Sequence, residues 1–240
     1  MDRRRAPCPS FPARDVSMNA PARPAAIRAR QVIRGLYAIT PDWDDTEALA
    51  RAVEASLGAG TRLLQYRNKP ASPGKKREQL LALMPPCERH YCTLVVNDDW
   101  RLALDLGLDA VHIGSDDGEA RLVRDAVGPE VILGVSCYGD LARARALAPY
   151  ADYLAFGSVF ASSTKPAAVA AALEVLQEAR ALGRPVVAIG GIDAANAGQV
   201  LAAGADAVAV IRGVFGGESV ARATSALLRV VEKARARSTS

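Results

Sequence analysis

Cysteine is scarce and unpatterned in this 240-residue chain: Cys8, Cys87, Cys92 and Cys137 show no CxxC spacing. That excludes a zinc ribbon, and the density is too low for a disulfide framework. No apolar run reaches the ~18 residues of a membrane span, and none near the start has signal-peptide character. Reduced thiols in a cytoplasmic protein with no membrane partner are expected. Histidine is scarcer still, with only His90 and His112. The formal net charge of +4 is small, and much of the excess sits in "MDRRRAPCPSFPARDVSMNAPARPAAIRARQVIR". The remainder is close to neutral, which excludes nucleic acid as a partner.

That Arg-, Pro- and Ala-rich leader lacks periodicity, so residues 1–32 are expected to be a disordered extension, with Met18 an alternative start. The 50% hydrophobic content suits one large domain, placed at residues 33–240. Within it β-rich runs alternate with helical-period segments. The runs are "GLYAIT", "RLLQYR", "TLVVND", "AVHIG", "VILGVSC", "YLAFGSVF", "PVVAIGG" and "AVAVIRG". Eight βα units of this length point to an α/β fold, a closed parallel (β/α)8 TIM barrel, with an open doubly wound sheet as the alternative. Four helix exits look alike: "GAGTRLL" from Gly58, "GLDAVHI" from Gly107, "YADYLAF" from Tyr150 and "GADAVAV" from Gly204. They mark every second strand, as alternating barrel layers require, and the three glycines suit left-handed helix C-caps.

In such barrels chemistry sits at the C-terminal strand ends. "QYRNK" puts Gln65, Arg67 and Lys69 at alternate positions, on one face if the strand continues. Arg67 suits bidentate phosphate contact and Lys69 a point-charge contact. "NDDW" and "HIGSDDGEA" bring Asp98, Asp99, Asp116 and Asp117 to neighbouring strand ends. Helix capping accounts for one carboxylate in each pair; the others would repel unless a cation sat between them. Oxygen ligands without histidine indicate Mg2+ rather than Zn2+. His90 falls in a surface connection. His112 points opposite to Val111 and Ile113, and a core role and a catalytic one both stay open. Cys137, tied to no histidine by any motif, reads as a packing residue. "FASSTKP" offers Ser162, Ser163, Thr164 and Lys165 before Pro166 at a first helical position, a setting for an anion. Gly190 and Gly191, with Ile211, Arg212 and Gly213, fall after the last two strands, where barrels commonly hold a phosphate. Two anion sites imply two phosphorylated small-molecule substrates.

With "QYRNK", "VVNDD", "HIGSDD", "ILGVSCY", "SSTKP", "AIGGI" and "AVIRGVF" in this order, the chain resembles the thiamine phosphate synthase family from about Gly35 to Phe215. The resemblance implies a transferase of thiamine biosynthesis that joins (4-amino-2-methylpyrimidin-5-yl)methyl diphosphate to a thiazole phosphate and releases pyrophosphate. It implies that Gln65, Tyr66, Arg67, Asn68, Lys69, Asn97, Ser136 and Lys165 bind the pyrimidine diphosphate, Arg67, Lys69, Ser136 and Lys165 being catalytic. It further implies that Asp98 and Asp117 bind Mg2+, leaving Asp99 as the helix cap, and that Ser162, Ser163, Thr164, Gly191, Ile211 and Arg212 hold the thiazole phosphate. Two positions depart from the family: Ser162 to Thr164 stand where Thr-Glu-Thr is common, and Arg212 where a serine is usual. A thiazole tautomerase of the same fold and a non-catalytic phosphate-binding barrel are the alternatives. Neither needs both a diphosphate site and a Mg2+ pair. The oligomeric state is not legible in the sequence.

Overall fold

The computed structural model describes residues 23–160 and 173–238. Helix α1 (Pro24–Val32) leads into β1 (Gly35–Ile39), α2 (Thr46–Gly58), β2 (Leu63–Tyr66), α3 (Pro73–Arg89), β3 (Thr93–Asn97), α4 (Trp100–Asp105) and β4 (Ala110–Ile113). Then follow α5 (Ala120–Val127), β5 (Ile132–Tyr138), α6 (Leu141–Leu147), β6 (Tyr153–Phe156), α7 (Leu173–Ala179) and a 3-10 turn at Arg180–Leu182. β7 (Val186–Ile189), α8 (Ala197–Ala202), β8 (Ala207–Val210), α9 (Arg212–Phe215) and α10 (Val220–Ser238) complete the order. Each strand pairs in parallel with the next, and β8 returns to β1, with Gly35 opposite Ala207 and Ala38 opposite Val210. The sheet is therefore closed, and the open-sheet alternative falls.

Local chemistry sets the helix starts. Asp45, Ser72, Asp99 and Asp140 each accept a backbone N–H from the first turn of α2, α3, α4 and α6. At the exits, Gly107 and Gly204 are left-handed (φ 72° and 109°), as helix C-caps should be. The first exit differs from expectation: Gly58 is the last residue of α2, and Gly60, at φ 118°, takes the left-handed position.

Alternation along the strands sorts side chains into two cores. Leu64, Tyr66, Val96, Val111, Leu133, Leu154, Phe156 and Val208 face outward and pack against the helices. Tyr37, Leu63, Val95, Ala110, Ile132, Tyr153, Val187 and Ala207 fill the barrel. Ala25, Ala29 and Ile33 join this inner cluster, so α1 lies across the N-terminal end of the barrel. Arg23 anchors it through Asp152 at 2.9 Å and the carbonyls of Pro149 and Ala151. The expected disordered extension is thus corrected over residues 24–32, which form a helix. Its apolar face is mostly alanine at four-residue spacing, too weak a pattern to read locally, and tertiary burial stabilises it. Residues 1–22 lie outside the described part.

Tyr153 crosses the barrel interior through a space that Gly134 leaves: a Cβ at position 134 would sit 2.0 Å from the Tyr153 ring. Gly134→Ala is expected to cost about 1–3 kcal/mol by overpacking. That would lower the thermal midpoint by roughly 2–4 °C per kcal/mol in a domain of this size. An unchanged melt would contradict this packing.

Candidate functional site

A cavity of about 740 Å³ opens at the C-terminal ends of the strands. Its basic wall follows β2. Thr40 and the Arg67 backbone exchange hydrogen bonds (2.8 and 2.9 Å), fixing the chain as it leaves the strand. The Arg67 guanidinium is held by both oxygens of Asp42 at 2.8 and 2.7 Å, and Asp42 also accepts the Lys69 backbone N–H at 3.0 Å. Gln65, Arg67 and Lys69 all line the cavity, although the strand itself stops at Tyr66. The alternation expected for "QYRNK" therefore persists past the strand end.

The side chains of Tyr66 and Asn68 are not part of this wall. Both are buried on the other side of the strand, where Gln79 Oε1 accepts from Tyr66 at 2.8 Å and from Asn68 at 3.0 Å. The pleat that points Gln65 and Arg67 inward sends these two toward α3.

The acidic wall follows β3 and β4. Asp98 adopts a left-handed backbone (φ 66°), uncommon for a residue other than glycine or asparagine. Its carboxylate meets the Lys69 ammonium at 3.2 Å. Asp117 accepts the Gly114 N–H at 2.7 Å. Burial first, and then a hydrogen bond shared with Asp98, hold the Asp117 carboxyl above the usual carboxylate range. The two acids therefore face each other. Asp99 caps α4, as expected, but neither acid of the second cluster caps a helix: Glu119 stands at the N-cap of α5, and Asp116 accepts from the Ser115 hydroxyl.

The floor is polar. Gln65 Nε2 donates to the Tyr37 hydroxyl (2.8 Å), which lies 3.0 Å from the Tyr153 hydroxyl. His112 Nδ1 is 3.1 Å from Tyr153 and its Nε2 is 2.9 Å from Ser136. Burial raises the phenol pKa of both tyrosines, which keeps them protonated. His112 is thus an interior residue at the edge of the cavity.

The opposite rim is made by the ends of β7 and β8. Gly190 and Gly191 are both left-handed (φ 106° and 66°), and a Cβ on Gly190 would sit 1.9 Å from the Ser158 hydroxyl. Asn97, Gly191, Ile211 and Arg212 line the cavity. Ser162, Ser163, Thr164 and Lys165 lie outside the described residues. Cys137 faces the outer core, where burial pushes its thiol up to about 12, unfit for nucleophilic work. His90 pairs with Glu54 at 2.9 Å, away from the mouth.

Asp42, Tyr37 and Tyr153 escaped the sequence reading. Asp42 sits in "TPDWDD", where several acids look alike as helix starters, and the tyrosines sit in apolar runs that read as core. Tyr37 offered one signal, lying opposite in pleat to Leu36 and Ala38.

The family described as "Thiamine monophosphate synthase" matches residues 36–214. A thiamine-phosphate synthase of Bordetella avium is 52% identical over 200 residues, covering 80% of this chain and 92% of the relative. One of Chromobacterium violaceum is 46% identical over 196 residues, 81% and 95% of the two chains. Among solved structures, a thiamine phosphate pyrophosphorylase from Pyrococcus furiosus superposes with a TM-score of 0.76 at 33% identity, covering 85% of this chain and 98% of that one.

Proposed function

The chain belongs to the thiamine-phosphate synthase family, a transferase of thiamine biosynthesis acting on phosphorylated substrates, and from that premise we propose how its cavity divides the work. The pyrimidine diphosphate lies with its ring on the polar floor, between Gln65 and Ser136, and its diphosphate at the rim beside Arg67, Lys69 and Asn97. Lys165 is assigned to the same diphosphate. The thiazole phosphate is held by Ser162, Ser163 and Thr164 with Gly191, Ile211 and Arg212.

The observation that carries this reading is the convergence of Arg67, Lys69, Asp98 and Asp117 on one mouth from the ends of three strands. Asp98 and Asp117 fit Mg2+: they are hard oxygen donors whose mutual repulsion a divalent ion would relieve. Among the described residues no group of three or more His, Cys, Asp or Glu could hold a metal. Two carboxylates suit an ion that arrives with substrate phosphates, as Mg2+ commonly does. Bound there, Mg2+ would neutralise charge on the departing diphosphate.

The chain's own residues supply the rest. Arg67 and Lys69 meet the negative charge that grows as the C–O bond breaks, from positions fixed beforehand by Asp42 and Asp98. The aminopyrimidine stabilises the methylene cation left behind. The thiazole nitrogen, positioned by its anchored phosphate, captures that cation. No protein nucleophile takes part. Incubation with both substrates is expected to release pyrophosphate only when Mg2+ is present. Thiazole isomerisation without pyrophosphate release would instead make it a tautomerase, and release untouched by chelation would remove Asp98 and Asp117 from the metal role.

A further inference from the structure

The floor of the cavity is one unbroken line of hydrogen bonds, Gln65–Tyr37–Tyr153–His112–Ser136, spanning 2.8 to 3.1 Å at each step. Gln65, Tyr37, His112 and Ser136 line the cavity, and the two tyrosines are buried, 1% and 0% exposed. A phenol has a single proton, and an uncharged imidazole donates from one nitrogen and accepts at the other. With His112 uncharged, these counts and the Gln65 donor give the line a direction. Gln65 donates its amide N–H to Tyr37, so the Tyr37 proton goes to Tyr153 and the Tyr153 proton to His112 Nδ1. His112 then donates from Nε2 to Ser136, which keeps its own proton for the cavity. At the other end Gln65 keeps its carbonyl oxygen for the cavity.

We propose that Tyr37, Tyr153 and His112 are positioning residues that fix Gln65 as an acceptor and Ser136 as a donor, so that the floor selects an aminopyrimidine over its oxo counterpart. An aminopyrimidine brings an N–H donor and ring-nitrogen acceptors. The oxo tautomer brings a carbonyl and a ring N–H, the reverse sense. Reversing the line requires every member to turn over together, including the Gln65 amide. The phenols also cannot ionise to relieve a mismatch, because burial opposes it. The inference rests on the reading that the pyrimidine ring occupies this floor.

The chain's two histidines make the test direct. With both rings labelled with nitrogen-15, His90→Gln leaves His112 as the one signal, and its ring-nitrogen shifts report the tautomer. The Nε2–H form is expected in the unliganded enzyme, with loss of that preference in Tyr153→Phe. In steady state, the wild type is expected to favour the amino over the oxo pyrimidine diphosphate by about 100-fold or more in kcat/KM, as sites built to pair a polar group do. Tyr153→Phe should cut that ratio by about tenfold, a hydrogen bond's worth, with the KM for the thiazole phosphate unchanged. Tyr37→Phe breaks the same line elsewhere and serves if Tyr153→Phe fails to fold. The Nδ1–H form, or an unaltered ratio in a folded variant, overturns the proposal. A wild type that turns over neither pyrimidine overturns the reading of the site instead, and the tautomer still judges the line.

Discussion

Asp98→Asn is expected to lower kcat by about 10²–10³-fold, the scale set by removing a preorganised charge from a reaction centre, and to raise the Mg2+ concentration needed for half-maximal rate. The thermal midpoint should stay within about 2 °C, because the losses to stability are small. Asparagine tolerates the left-handed backbone at this position better than most residues. The ion pair given up with Lys69 is half-exposed and worth at most about 1 kcal/mol. The repulsion between Asp98 and Asp117, which adds to burial in raising the Asp117 carboxyl, is relieved at the same time. Steady-state rates at saturating substrate and a thermal melt separate the two effects. Undiminished turnover would remove Asp98 from the chemistry, whereas a large drop in the melt would make it a structural residue.

Arg67→Ala is expected to cost about 10²–10³-fold in kcat/KM for the pyrimidine diphosphate, the scale set by removing a preorganised charge-stabilising group from a reaction centre. Two things are lost together. The guanidinium fork that can grip a diphosphate disappears, and Asp42 keeps a carboxylate with no cation against it, close to where the anion must bind. Arg67→Lys should recover only part of the loss, because an ammonium cannot reproduce the planar two-point contact. The KM for the thiazole phosphate should be unaffected. Equal losses for both substrates would place Arg67 in the scaffold rather than at the diphosphate.

The barrel was legible because strand and helix periods switch cleanly along the chain and because similar helix exits mark alternate strands. The charged rim was legible for a related reason: charges ending apolar strands have few places to be except the mouth. Pleat alternation also carried Arg67 and Lys69 correctly beyond the end of β2. The same alternation turns the Tyr66 and Asn68 side chains away from the cavity, toward Gln79. What stayed hidden depended on partners distant in sequence. Asp42 gains meaning only from Arg67, Tyr37 only from Tyr153, and the small residue at 134 only from the ring that fills its place. Helix α1 was missed because alanines four apart carry little hydrophobic signal until a barrel end is there to receive them.

Because α1 lies across the far end of the barrel, the cavity among the described residues is reached from the C-terminal ends of the strands. With the pyrimidine ring placed on the floor as proposed, the pyrimidine is expected to bind ahead of the thiazole, an order that initial-rate kinetics with product inhibition would check.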